Sequence, residues 1–173
     1  MPIAQLISPQ ALKDRQEYPG LIILDCRFAL EDPDYGRCSY AEGHIEGAQY
    51  ADLERHLSGP VSKGVTGRHP LPDAQTLLEQ LRVWGINQDS DVVLYDDGPG
   101  AFAARAWWLL MWLGKRYGVF ILDGGLKAWH GAGFPLSIDA VSRPRGTFHG
   151  TPDDRLLIST DQLLVRLGSP ELT

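Results

Sequence analysis

The segment Asp96-Asp97-Gly98-Pro99-Gly100-Ala101 sets two carboxylates and two glycines between an apolar run ending at Tyr95 and an apolar stretch of helical length. Successive N–H groups at the entry to a helix form a nest for an anion, and in an open parallel sheet ligands bind in the crevice beyond the strand carboxyl ends. The segment is therefore read as a reaction or binding loop. It is not a phosphate loop, because no Gly-Lys-Ser/Thr follows, and Gly98 to Ala103 lacks the third glycine of a dinucleotide fingerprint.

Two thiols could act as nucleophiles. Cys26 ends an apolar run between Asp25 and Arg27, where a free cysteine usually serves as a small core hydrophobe. Cys38, in the irregular stretch Glu-Asp-Pro-Asp-Tyr-Gly-Arg-Cys-Ser, is expected to be exposed, with no helix start or histidine near it in sequence to lower its pKa. His69 follows the glycine-rich stretch 58–67 and precedes Pro70. An imidazole there suits proton transfer near neutral pH, or it orders its loop through a backbone hydrogen bond. His44, before Ile45-Glu46-Gly47, is read as fixing a turn. Phe102 stands at a helix entrance as a substrate wall or a core residue, and Trp107, Trp108 and Trp112 are core or interface anchors. Arg105 is expected to pair with a strand-end acid, Asp25 or Asp96.

Composition narrows the classes. The chain has 173 residues, 43% apolar and 22% charged, enough for one domain core and not for two full ones. A net charge of −6 offers no basic field, so neither nucleic acid nor an anionic membrane surface is an expected partner. Two cysteines make no disulfide framework and no zinc spacing, which points to a reducing cytoplasm. The amino terminus has no signal-peptide pattern, and the apolar stretch from Ala101 to Leu113 is too short to span a bilayer.

The elements that must position these residues follow from the apolar pattern. The runs Leu21–Leu24, Val92–Tyr95 and Val119–Leu122 are continuously apolar, each followed by an aspartate, as strands of a parallel sheet covered on both faces are. Between them, Asp73 caps a helix over Ala74–Trp84 that stops at Gly85. A second helix runs from about Phe102 to Leu113, and a third from Leu126 to His130. The class is α/β.

Residues 139–156, rich in Pro, Gly and charge, read as a linker. Beyond it, Leu157-Ile158-Ser159 repeats Leu6-Ile7-Ser8, and the same offset aligns Leu163 with Leu12, Arg166 with Arg15, Pro170 with Pro19 and Leu172 with Leu21. Residues 157–173 are thus expected to open a second copy of the pattern, whose body lies beyond Thr173.

Five separated motifs carry a family resemblance: Gly43 to Ala48 (GHIEGA), Arg68 to Pro72 (RHPLP), Val92 to Asp96 (VVLYD), Ala104 to Trp108 (ARAWW) and Leu122 to Trp129 (LDGGLKAW). Residues 1–138 resemble the rhodanese family, in particular the amino-terminal domain of two-domain thiosulfate and 3-mercaptopyruvate sulfurtransferases. The resemblance implies a five-stranded parallel sheet flanked by helices on both faces. It also implies a loop whose first residue, in active domains, is a cysteine that carries sulfur as a persulfide. Here that residue is Asp96, so the chain alone is expected to be inactive, with the nucleophile in a carboxyl-terminal rhodanese domain of the same polypeptide. That domain and a small sulfur donor are the expected partners, and no metal or organic cofactor is needed. His69, with Glu54 as its acid in place of the more usual aspartate, and Phe102 are implied at the substrate cleft. The rival reading is a non-catalytic binding or scaffold module.

Overall fold

The computed structural model describes residues 4–169. Five strands, β1 (Gln5–Ile7), β2 (Leu21–Asp25), β3 (Ala48–Tyr50), β4 (Asp91–Tyr95) and β5 (Val119–Leu122), form one sheet in the order β1-β5-β4-β2-β3. Every pairing is parallel. Six α-helices accompany them: α1 (Pro9–Lys13), α2 (Tyr35–Glu42), α3 (Ala74–Val83), α4 (Ala101–Trp112), α5 (Gly125–Gly131) and α6 (Thr160–Arg166). The five-stranded parallel sheet is the one the family resemblance implies.

The continuous apolar runs are explained by the two cores they feed. Ile22, Leu24, Val92 and Leu94 face one core, with Leu77, Leu78 and Leu81 of α3 and Ala106, Leu109 and Leu110 of α4. Their neighbours Leu21, Ile23, Val93 and Tyr95 face the other, with Leu12 of α1 and Leu126 and Trp129 of α5. Side chains alternate across a strand, so a run apolar at every position is what two covered faces demand.

The helix starts follow local chemistry. Asp73 accepts from the Thr76 N–H at the head of α3, and Ser8 accepts from the Ala11 N–H at the head of α1. Ser159 heads α6 in the same way, accepting from Gln162 N–H while the Gln162 side chain accepts from Ser159 N–H, a reciprocal capping box. The repeated Leu-Ile-Ser triplet therefore opens a helix at both places, although Ile7 is buried and Ile158 is 46% exposed. Pro170, Leu172 and Thr173 lie outside the described residues.

Three expectations need correction. The irregular stretch around Cys38 contains α2, which buries only Gly36 and gives no apolar stripe to read. Arg105 meets neither Asp25 nor Asp96; its guanidinium donates to the carbonyls of Leu57, His69 and Pro70 and to Ser58 Oγ. Asp25 instead holds Arg27 at 2.6 Å and accepts from Tyr95 OH at 2.7 Å, all buried. Part of the stretch read as a linker is docked. Phe148 is fully buried in the core of α3 and α4, its N–H donates to Ile86 O at 3.0 Å, and Arg82 Nε donates to its carbonyl at 2.8 Å. Gly146 N–H donates to Arg82 O and Asp153 N–H to Trp112 O. A Cβ at Gly150 would lie 1.9 Å from Leu113 O, so only glycine permits this approach.

Candidate functional site

The carboxyl ends of the strands converge on the loop after β4. Asp96, 1% exposed, turns its carboxylate back into the loop: Oδ1 accepts from the N–H groups of Gly98 (3.0 Å) and Gly100 (3.1 Å), Oδ2 from those of Phe102 (3.0 Å) and Ala103 (3.2 Å). The last two are orphan donors of the first turn of α4, so the carboxylate also faces the positive end of that helix. Gly100, at φ +87, makes the turn into α4. On the far side, Leu126 N–H donates to Asp96 O at 2.8 Å, and a Cβ at Gly125 would lie 2.3 Å from that same oxygen. The nest is thus built as for a bound anion, and the chain's own carboxylate fills it. Tyr35, at the start of α2, donates its hydroxyl to Asp97, which pins α2 over the loop and raises the Tyr35 pKa.

A cavity of about 250 Å³ opens beside the loop, lined by Leu6, Asp96, Gly98, Gly100, Asp123 and Gly125 among others. His69, Glu54 and Phe102 do not line it. They gather on the β2 side, where Phe28 joins them: its ring meets His69 edge-on at 5.6 Å and Phe102 at 5.5 Å. Phe28 is 4% exposed and has no motif around it; its place three residues beyond the end of β2 is the available signal. Glu54 Oε1 lies 3.7 Å from His69 Nε2, too far for a hydrogen bond, and that buried nitrogen has no hydrogen-bond partner among the described residues. Burial, then the adjacent Arg68 and Arg105, pull the His69 pKa below its ordinary value, against the opposing pull of Glu54. The imidazole is neutral at pH 7 and able to accept a proton. Arg105 ties its segment to the loop after β3 by donating to carbonyls of both.

The two thiols part company. Cys26 is fully buried, and burial together with Asp25 and Asp96 pushes its pKa well up, the opposite of what a nucleophile needs. Cys38 is exposed in the middle of α2. His44 is buried and stacked on Tyr40 at 4.0 Å, its ring nitrogens 2.8 Å from Tyr40 O and 3.2 Å from Asp139 O, and its backbone bridges to Ser137, so it holds the turn before β3. Among the described residues no group of three or more His, Cys, Asp or Glu could hold a metal ion, and no helix is long and apolar enough to cross a membrane.

The sequence and the fold have known counterparts. The chain is 60% identical over 172 residues to a probable 3-mercaptopyruvate sulfurtransferase of Pseudomonas aeruginosa, covering 99% of this chain and 61% of that protein. It is 33% identical to the 3-mercaptopyruvate sulfurtransferase of Escherichia coli K12, covering 89% of this chain and 54% of that one. Among solved structures, the 3-mercaptopyruvate sulfotransferase of Escherichia coli superposes with a TM-score of 0.85 at 30% identity, over 96% of this chain and 63% of that one. The enzyme of that class from Leishmania major gives 0.73 at 31% identity, over 85% and 40%. The chain therefore spans between 40% and 63% of the length of these relatives. The profile of the rhodanese-like domain matches residues 8–132, most of the folded region, and with it the chain belongs to the rhodanese family.

Proposed function

We propose that this chain is the non-nucleophilic, amino-terminal rhodanese domain of a sulfurtransferase that moves sulfur from 3-mercaptopyruvate or thiosulfate to a thiophilic acceptor. The persulfide forms on a cysteine of a second rhodanese domain of the same polypeptide, in a reducing cytoplasm. One observation carries the reading: the anion nest after β4 is complete and occupied by the Asp96 carboxylate. A carboxylate holds no transferable sulfur, and neither thiol sits in a comparable nest. The 60% identity to the Pseudomonas protein supports the reaction class, and the partial coverage of that protein supports a second domain. So does the segment from Leu157 to Leu167, where Ile158, Leu164, Val165 and Leu167 stand exposed at 46%, 60%, 87% and 60%.

The domain's own part is to wall the cleft. His69 offers a neutral imidazole whose Nε2 has no partner among the described residues, steadied by Phe28 and by the Arg105 bond to its carbonyl. Glu54 lies close enough to favour the imidazolium once a proton arrives. Phe102 closes the apolar side.

The test is persulfide formation and cyanide-dependent turnover, measured on the 173-residue chain and on the same chain extended by a second domain, with each sulfur donor. The extended protein is expected to turn over and the chain alone to show no rate above background. Turnover by the chain alone, abolished by Cys38→Ser, overturns the assignment of Asp96 as a filled nucleophile position.

A further inference from the structure

The opposite end of the sheet holds a second polar cleft, at the amino-terminal ends of β2 and β4. It encloses about 170 Å³ and is lined by Gly20, Asn87, Ser90, Arg143 and Arg145 among others. Gly20 and Ser90 immediately precede β2 and β4, so this cleft is a sheet's length away from the Asp96 loop. We propose that it binds a small inorganic oxoanion, with Arg143 as the principal ligand.

Four observations lead there. Arg143 makes no hydrogen bond and no ion pair among the described residues, and its Nε is buried without a partner. A guanidinium presents a rigid fork of donors, and leaving it half-buried and unpaired costs desolvation that an oxoanion would offset through paired, charge-assisted bonds. The neighbouring groups leave donors to spare. Asn87 Oδ1 already accepts from Thr147 N–H (2.8 Å) and Thr147 Oγ1 (2.9 Å), so its Nδ2 hydrogens remain; Ser90 Oγ accepts from Asn87 N–H (2.9 Å), so its hydroxyl hydrogen remains.

No carboxylate lines the cleft, although the chain carries a net charge of −6. Two nearby acids are engaged elsewhere, Glu79 with Arg82 and Arg145 and Asp91 with Arg15. Finally, the volume is below the roughly 300 Å³ at which drug-sized ligands begin, which selects an inorganic oxoanion over a nucleotide or organic cofactor. Burial alone pulls the Arg143 pKa down, with no anion of the chain to oppose it.

The experiment is a ¹⁵N–¹H titration of the whole chain with sodium sulfate against sodium chloride at equal ionic strength. Saturable shifts are expected with sulfate at the amides of Gly20, Gly85, Asn87 and Ser90, and not at Gly98 to Ala103. Arg143→Ala should weaken the affinity at least about tenfold, and Arg143→Lys should retain part of it. Asn87→Asp keeps an acceptor for Thr147 while placing a carboxylate in the cleft, and should abolish the sulfate response in a chain whose other amides are unmoved. Non-saturating shifts, an equal response in Arg143→Ala or Asn87→Asp, or a response confined to the Asp96 loop each overturn the proposal.

Discussion

Replacing Asp96 by asparagine changes almost no volume and isolates the role of the anion. Each carboxylate oxygen accepts from two N–H groups, Gly98 and Gly100 on one side and Phe102 and Ala103 on the other. Whichever oxygen becomes an amide nitrogen, two donors lose their acceptor and face two further hydrogens. A buried donor left unsatisfied costs about 1–3 kcal/mol, and the charge facing the start of α4 is lost as well. Because Gly98 is exposed and Gly100 and Phe102 are only partly buried, the two lost bonds fall at the low end of that range, and the expected destabilisation of Asp96→Asn is about 2–4 kcal/mol, which in a domain of this size lowers Tm by roughly 5–15 °C. Asp96→Ala strips all four donors but opens a vacancy that water or an added anion can enter, so sulfate should recover part of its Tm beyond any recovery in the wild type. Calorimetry of the three proteins, with urea unfolding as a check, measures the order. An Asp96→Asn variant within about 0.5 kcal/mol of the wild type would refute the reasoning, because it would mean that the N–H groups need no anion.

Other predictions follow from the same accounting. Phe148→Ala should cost about 3–5 kcal/mol by urea unfolding, and a chain ending at residue 138 should fail to give a cooperative transition. Arg27→Met strands the buried Asp25 carboxylate and should cost about 3–5 kcal/mol, whereas Tyr95→Phe, which removes one donor to that carboxylate, should cost about 1–2. His56 accepts the Asp52 N–H at Nδ1, and burial holds its pKa below the ordinary value near 6.5. The folded state therefore binds fewer protons than the unfolded chain, so stability is fully present above pH 6.5 and falls as the pH drops through the folded pKa. His69 contributes in the same direction. His56→Asn, which keeps an acceptor without the titration, should flatten the stability profile between pH 7 and 5.

Much of this architecture was legible because burial writes itself into side-chain type. Leu21–Leu24 and Val92–Tyr95 are apolar at every position since both faces of the sheet are covered, and Asp73 and Gly85 bracket α3 with the chemistry of its ends. The loop at Asp96 could be singled out from its glycines and its place between strand and helix. What escaped lies where the partner is a backbone atom or a tertiary surface. Arg105 contacts carbonyls, which no side-chain pattern announces, and the acids that looked complementary were already claimed by Arg27 and by N–H groups. Helix α2 has one buried residue and no stripe, and it is held through Tyr35, Tyr40 and His44 rather than by an amphipathic face. The docking of residues 146–153 rests on one phenylalanine in a setting of Gly, Pro and charge, which composition alone assigns to a loop.

That docked strap has a mechanical consequence. A flexible tether would let a following segment sample a wide volume, and an ordering cost would accompany each contact it made with the domain. Here the chain is clasped at Phe148 and again at Asp153, which pairs with both Arg116 and Arg155, so it departs toward α6 from a fixed point. A load applied from the side of α6 would meet the Asp153 pairs first and the Phe148 clasp next, both before it reached the strands.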